Sequence, residues 1–313
     1  MQFEVCSFNM TRTITMNSPL ISVIIPTHNR ADYLGKAVDS VLSQRYGRFE
    51  LIVVDDGSRD GTRKVLSRRE DRRLQYISIE HAGVSKSRNI GVRNSQGAYI
   101  AFLDSDDYWH PDKLARQVKY HLDHPEVSIS QTQEIWIRKG RRVNPRKKHL
   151  KPSGYIFPQS LHLCTITPSS VMMRPELFRS LGGFDEDMPA CEDYDLWLRL
   201  TAAHQVGLID EALLTKLGGH EDQLSGRYPA MDRFRLYSLG KLMYSGCLND
   251  QQTCLAKRVF EEKRSILLNG IRKRDRAPEA LLRFLESLSR LALSPDDFYQ
   301  LGRYYLLSDR FFQ

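Results

Sequence analysis

Short, continuously apolar runs alternate with helix-spaced segments, and this alternation limits the chain more than any other feature. Ile21 to Ile25 is a β-branched run that ends in Pro26-Thr27-His28-Asn29-Arg30, after which Leu34, Ala37, Val38, Val41 and Leu42 recur at helical spacing. Phe49 to Val54 repeats the pattern, with a turn at Asp55 to Gly61 and a helix over Thr62 to Arg69. Strands without polar alternation are buried on both faces, and strands separated by helices pair in parallel, so the class is α/β. Leu74 to Ile79 is a third strand, Gly83 to Asn94 a helix, and Ala98 to Leu103 a fourth strand running into acidic residues. In open α/β sheets ligands bind beyond the carboxyl ends of the strands, so Pro26 to Arg30, Asp55 to Ser58 and Asp104 to Asp107 should converge on one crevice.

Beyond a helix at Pro111 to Leu122, Arg138 to Lys151 contains no acidic residue and reads as a mobile loop or a strand pair. Glu192 to Leu200 is a helix, and from about Pro229 the apolar spacing is helical only. Ser294-Pro295-Asp296-Asp297 is a helix start, with a serine cap, proline at the first position and acids in the first turn. The 313 residues divide into an N-terminal extension, 1–18, an α/β domain, 19–225, and a C-terminal helical region, 226–313. The apolar runs fall short of the about 18 residues of a membrane-spanning helix, and the first 20 residues lack the apolar core of a secretory signal. Five cysteines, none in a CxxC pair, suggest neither a disulfide framework nor a zinc site and fit a reducing cytoplasm. A net charge of +8 favours anionic partners.

The strongest chemical signal is Asp104-Ser105-Asp106-Asp107. Three carboxylates at a strand end repel one another unless a cation is shared, and Mg²⁺ characteristically bridges one or two carboxylates to substrate phosphates. The alternative is a solvated turn ahead of the helix at Pro111. Asp55-Asp56-Gly57-Ser58 is an acidic pair suited to a base or ribose, or simply a turn. Arg88 reads either as a guanidinium for a diphosphate or as part of an exposed basic face. Glu192-Asp193 opens a helix, which suits an ionised general base and equally a helix cap. His220 is a third metal ligand or a structural histidine.

In order, these segments resemble the family 2 glycosyltransferases with the GT-A fold: Val23 to Arg30, Leu42-Ser43-Gln44, Val53 to Ser58 with Asp60-Gly61-Thr62, Gly83-Val84-Ser85 with Ser87-Arg88-Asn89, Gly97 to Asp107, and Glu192-Asp193 with Asp195 to Arg199. The resemblance spans roughly Leu20 to Ser225. It implies a Rossmann-like nucleotide-binding half-sheet fused to an acceptor-binding half. It also implies nucleotide contacts from Pro26, Thr27, Asn29, Asp56, Arg88 and Asp104, and Mg²⁺ or Mn²⁺ on Asp106 with Asp104 and His220. Asp193 would be the base, with Glu192 beside it. The expected reaction is inverting and metal-dependent, from a nucleotide-sugar, UDP-sugar by default, to a glycan or lipid-linked acceptor in bacterial surface polysaccharide assembly. His28 stands where an aromatic such as Tyr is frequent, and the Gln-x-x-Arg-Trp element of processive synthases is missing, so single additions are expected. Arg138 to Lys151 would bind a charged acceptor or hold a cytoplasmic enzyme against the anionic inner face of the membrane, at about 1 kcal/mol per basic residue; otherwise it is a solvated loop.

The competing class is a non-catalytic nucleotide-sugar or nucleic-acid binding protein on the same sheet. No RRM, KH or zinc-finger pattern appears, and the basic runs lack interleaved aromatics, so no nucleic-acid partner is expected. A glycoside hydrolase would need paired carboxylates but no nucleotide, and a dinucleotide-dependent dehydrogenase would need a G-x-G-x-x-G after the first strand.

Overall fold

The computed structural model describes residues 18–143, 150–219, 227–274, 278–288 and 293–312. Nine strands of these residues form one sheet. The first half alternates as expected: β1 (Ile21–Thr27), α1 (Ala31–Leu42), β2 (Phe49–Asp56), α2 (Thr62–Ser67), β3 (Leu74–Ile79), α3 (Val84–Arg93) and β4 (Tyr99–Phe102). All of β1, β2 and β4 is buried, as their unbroken apolar runs require. β1 pairs in parallel with β2 on one side and β4 on the other, which places the topological switch beside β1. The seating of α3 on β1 depends on Gly91, where a Cβ would lie 2.4 Å from Ile24 Cγ2.

The second half contains β5 (Tyr108–Trp109), α4 (Lys113–Asp123), β6 (Ile129–Arg138), β7 (Arg141–Val143), α5 (Phe157–His162), β8 (Met172–Met173), α6 (Pro175–Ser180), α7 (Glu192–Thr201) and β9 (Gly207–Gly218). The sheet runs β3-β2-β1-β4-β8-β6-β9-β5, with β7 paired to β6. β8 is antiparallel to both β4 and β6, so this two-residue strand joins the two halves. The long β6–β9 pair is parallel and carries register shifts at Gln133, and these irregular, half-polar strands are absent from the apolar pattern of the sequence.

The expected strand pair in the basic stretch exists: β6 and β7 form a hairpin that exposes Arg138, Lys139, Arg141 and Arg142. Residues 144–149 of that stretch lie outside the described residues. Lys151, at its end, departs from a solvated loop. It is buried, and its Nζ lies 3.1 Å from Glu134 Oε2.

The C-terminal helices are α8 (Asp232–Tyr244), α9 (Asp250–Arg274), α10 (Glu279–Leu288) and α11 (Pro295–Gly302). Ser294 caps α11 by accepting the Asp297 amide, as its sequence indicates. Phe234, Leu236, Leu239 and Phe260 share a core with Phe157, Leu161, Tyr194 and Leu198, so these helices pack on the half that carries α7. Lys241 of α8 pins the junction, with its Nζ paired to Asp185 and 3.0 Å from Asp195 Oδ1. No helix among the described residues is long and apolar enough to cross a membrane.

Candidate active site

β1, β2 and β4 deliver their terminal residues to one edge of the sheet, and α7 opens beside it. The polar turn after β4 divides its carboxylates. Asp107 points inward, buried, where Oδ2 accepts the Ser169 hydroxyl at 2.7 Å and Oδ1 accepts the Leu217 amide at 3.1 Å. Burial pushes its carboxyl well above the usual range, against the pull of Lys216. The Ser169 hydroxyl also accepts the Asp104 amide at 3.0 Å, so the buried acid shapes the turn that carries Asp104 and Asp106. Asp104 and Asp106 keep partial exposure, and Asp106 Oδ2 stands 3.8 Å from the Arg30 guanidinium. Two part-exposed carboxylates with only oxygen donors match what a hard divalent cation takes, and the nearby guanidinium already answers that negative field. His220 lies outside the described residues.

Arg88 is not on an exposed basic face. It is 4% exposed; Nη2 donates to Asp104 Oδ1 at 2.7 Å and Nη1 donates to Glu192 Oε1 at 2.6 Å. Its carbon centre also sits 5.0 Å from the Phe184 ring centroid. Burial disfavours the guanidinium charge, but Asp104 and Glu192 outweigh it and raise the pKa. One side chain therefore ties the acidic strand end to the start of α7. Glu192 is itself buried, and burial raises its pKa although Arg88 opposes the rise.

Asp193 is more accessible than Glu192 or Asp195, the other acids of α7. Its Oδ1 accepts the Tyr194 amide at 2.7 Å, and its Oδ2 accepts from Cys164 Sγ at 3.3 Å. The helix is entered through Cys191, whose φ of 61° is left-handed in a residue with a side chain. Successive positions of a helix point about 100° apart, so Glu192 reaches Arg88 and Asp193 reaches Cys164.

At the other end of the crevice, both Asp56 oxygens accept backbone amides, Ala82 at 2.7 Å and Gly83 at 3.0 Å, and so hold the entry to α3. His81 Nδ1 lies 2.8 Å from Asp56 Oδ2, and His28 Nδ1 donates to the Asp56 carbonyl at 2.6 Å. The two imidazoles stack with centroids 4.2 Å apart. Asn29 bridges this corner, with Oδ1 accepting the Arg59 amide and Nδ2 3.0 Å from His28 Nε2. A cavity of about 770 Å³ opens here, lined by His28, Asn29, Gly57, Arg59, Glu80 and His81 among others. Pro26 and Thr27 form the buried strand edge behind it, in register with Val54 and Asp55, and Thr27 Oγ1 has no partner among the described residues.

The geometry thus brings Arg88, Asp104, Glu192 and Asp193 together, puts Asp106 on the same turn, and sets Asp56 with Asn29 at the far corner. Sequence reasoning missed Lys216 on β9, Glu134 on β6, Cys164 and His81. Burial would lower the Lys216 pKa, but Asp107, Glu134, Asp104 and Asp193 raise it, in that order. A lysine in a strand without clear periodicity carries no sequence signal for such a position. His81 stands two residues before Gly83, at a strand end where its ring could have been weighed.

The glycosyl transferase family 2 model matches residues 22–182, and the chain belongs to that family. An uncharacterized glycosyltransferase of Rickettsia felis is 34% identical over 62% of this chain and 32% of its own length. The chain thus spans about a third of that relative, and 66% of the one from Rickettsia typhi. The Escherichia coli UDP-Glc:alpha-D-GlcNAc-diphosphoundecaprenol beta-1,3-glucosyltransferase WfgD is 31% identical over 62% of this chain and 75% of its own. Among solved structures, S. aureus TarS 1-349 in complex with UDP-GlcNAc superposes with a TM-score of 0.64 at 21% identity, covering 78% of this chain and 71% of that one. The fold is that of the GT-A glycosyltransferases, with helices added at the C-terminus.

Proposed function

We propose that the chain transfers one sugar per encounter, with inversion, from a nucleoside diphosphate sugar to a hydroxyl of a glycan or lipid-linked acceptor. The observation that carries this reading is Arg88, which joins the acidic end of β4 to the helix bearing Asp193 across one crevice. The nucleobase enters the cavity at His28 and Asp56, with Pro26, Thr27 and Asn29 forming its edge. Asp106 and Asp104 would hold Mg²⁺ or Mn²⁺, and the ion would supply charge neutralisation for the diphosphate leaving group; His220 is proposed as a further ligand. Asp193 takes the proton of the acceptor hydroxyl as that oxygen attacks the anomeric carbon. Glu192, buried on Arg88, contributes by fixing the guanidinium rather than by moving a proton.

A UDP-sugar is the first donor to test, since TarS was crystallised with UDP-GlcNAc and WfgD is named for UDP-glucose. The WfgD name also supports an acceptor linked to a lipid through a diphosphate. The exposed Arg138, Lys139, Arg141 and Arg142 of the hairpin suit an anionic membrane face, and the cytoplasmic side is the compartment proposed.

The test is a thermal-shift panel of UDP, GDP, dTDP and CDP with and without Mn²⁺, on wild type and Asp106→Ala. Ligand at about 100 times its dissociation constant adds about 2.7 kcal/mol of stability. A Mn²⁺-dependent shift for one nucleotide, lost in Asp106→Ala, is expected; no shift with any nucleotide would overturn the proposal and favour a protein that binds no donor.

A further inference from the structure

We propose that Arg30 is the countercation of Asp106 and gives that carboxylate up to a divalent cation only when a diphosphate arrives to receive its guanidinium. The inference rests on the reading of Asp104 and Asp106 as the metal-holding acids and adds a control on how they are loaded. Arg30 stands at the N-cap of α1, directly after His28 and Asn29, which line the cavity beside Gly57. Its backbone is fixed there, the amide donating to Thr62 Oγ1 at 3.2 Å. Its side chain leaves that corner, passes Tyr33 with the guanidinium carbon 5.7 Å from the ring centroid, and ends with Nη1 3.8 Å from Asp106 Oδ2. Arg30 thus spans the interval from the proposed base pocket to the proposed metal ligands, which is the interval a nucleoside diphosphate has to cross.

The charges around the acidic turn are already answered. The Arg30 and Asp106 side chains are 16% and 18% exposed, so water screens their attraction weakly and the loss of either partner matters to the other. Asp104 is matched as well, its Oδ1 accepting from Arg88 Nη2 at 2.7 Å. Lys216 is a third cation; burial opposes its charge, but Asp107, Glu134, Asp104 and Asp193 together hold it. A divalent ion entering alone would therefore have to push Arg30 off Asp106 among three cations, with no anion to take the freed guanidinium.

A diphosphate reverses that balance. Its oxygens accept a guanidinium in the paired geometry suited to phosphate, and Asp106 is released to the ion. Arg30 rather than Arg88 is placed to make the exchange. At 3.8 Å its contact with Asp106 is one of charge, whereas Arg88 is 4% exposed and donates hydrogen bonds to both Asp104 and Glu192. Metal and diphosphate then bind with positive coupling, each raising the affinity of the other by the same factor. An ion bridging the phosphates supplies part of that factor, and Arg30 supplies the rest.

The test is Mn²⁺ binding to the full chain, read from the electron paramagnetic resonance signal of the free ion, first with no nucleotide present. Arg30→Met should bind Mn²⁺ about 3- to 10-fold more tightly than wild type, and Arg30→Lys, which keeps the charge, should not. A residue that merely supports the turn would shift affinity the other way when removed. The titration is then repeated with UDP, or the nucleotide that the thermal-shift panel selects, corrected for Mn²⁺ held by free nucleotide. The ratio of the two affinities should fall about 10-fold in Arg30→Met. An Arg30→Met affinity for Mn²⁺ alone no tighter than that of wild type, or an unchanged ratio, would overturn the proposal. If Arg30→Met does not fold, Arg30→Gln carries the same two expectations. Asp106→Ala, titrated with the nucleotide, keeps the two readings apart. Loss of Mn²⁺ binding there upholds the acid assignment whatever Arg30 does, and retention of full Mn²⁺ binding overturns that assignment and this proposal with it.

Discussion

Replacing Arg88 by Met keeps most of the side chain's apolar stem and removes the charge that joins β4 to α7. Two carboxylates lose their partner, but not equally. The Glu192 side chain is 6% exposed and the Asp104 side chain 29%, so water can take over part of the loss at Asp104 and little of it at Glu192. Breaking a buried ion pair by removing one partner costs about 3–5 kcal/mol, most of it the penalty of the charge left behind. We therefore expect Arg88→Met to lose about 3 kcal/mol in urea unfolding at neutral pH, which for a protein of 313 residues lowers Tm by several degrees. The pH dependence follows from Glu192. Its pKa is already raised in the fold, and without Arg88 it rises further. A raised carboxyl stabilises the fold below its unfolded value and loses that contribution as pH rises through the folded value. The deficit of Arg88→Met should thus be largest at neutral pH and shrink as pH falls toward about 4. The double variant Arg88→Met/Glu192→Gln, which leaves no buried charge, should regain more than half of the loss. A single-variant loss below about 1 kcal/mol, or a double variant no more stable than the single, would refute the reasoning.

Lys241→Met should cost about 3 kcal/mol, because Asp195 is 1% exposed and loses one of its cations. The Lys241 pKa is raised by Asp195 and Asp185 although burial opposes this, so its contribution is present through acid and neutral pH and fades in the alkaline range above the usual lysine value; calorimetry at neutral and alkaline pH checks both points. Gly91→Ala places a Cβ 2.4 Å from Ile24 Cγ2 and should cost about 1–3 kcal/mol in chemical unfolding; a variant as stable as wild type would refute the close seating of α3 on β1. Asp106→Ala should leave Tm nearly unchanged and abolish the Mn²⁺ enhancement of nucleotide binding. Asp107→Ala should lower Tm by several degrees, since it strands the Ser169 hydroxyl and the Leu217 amide. Equal Tm losses in the two would undo the division of roles within the acidic turn.

The first half was legible because burial on both faces writes itself into a run of residues: Leu51 to Val54, apolar and mostly β-branched between turns, has the length and composition of a covered strand. β6 and β9 were not, because Ser130 to Glu134 is polar at every position, Asp210-Glu211 interrupts β9, and their pairing has a broken register, so neither the alternation of a half-exposed strand nor the continuity of a buried one survives. The acidic clusters were found, but not how their members divide. Asp106 and Asp107 are neighbours in the chain with opposite fates, and only the positions of Ser169 and Leu217, more than 60 residues away, separate them. Arg88 illustrates the same limit. An arginine on a helix is ordinarily solvated, and its burial follows from Glu192, 104 residues further on. Adjacent acids at a helix start look equivalent in sequence, whereas the packing of α7 turns Glu192 onto buried Arg88 and leaves Asp193 beside a thiol.

Because Tyr194 and Leu198 lie in one core with Phe234, Leu239 and Phe260, the residues that carry the acid helix and the helices behind it pack as one piece. A recombination joint near residue 226 would set new helices against a surface cut for other side chains, and Asp195 would lose Lys241 with them. A joint before Phe157 would carry both faces of that core across together. Exchange of acceptor-side modules between chains of this kind should therefore leave its breakpoints upstream of α5, where the family model still matches, rather than at the last strand of the sheet.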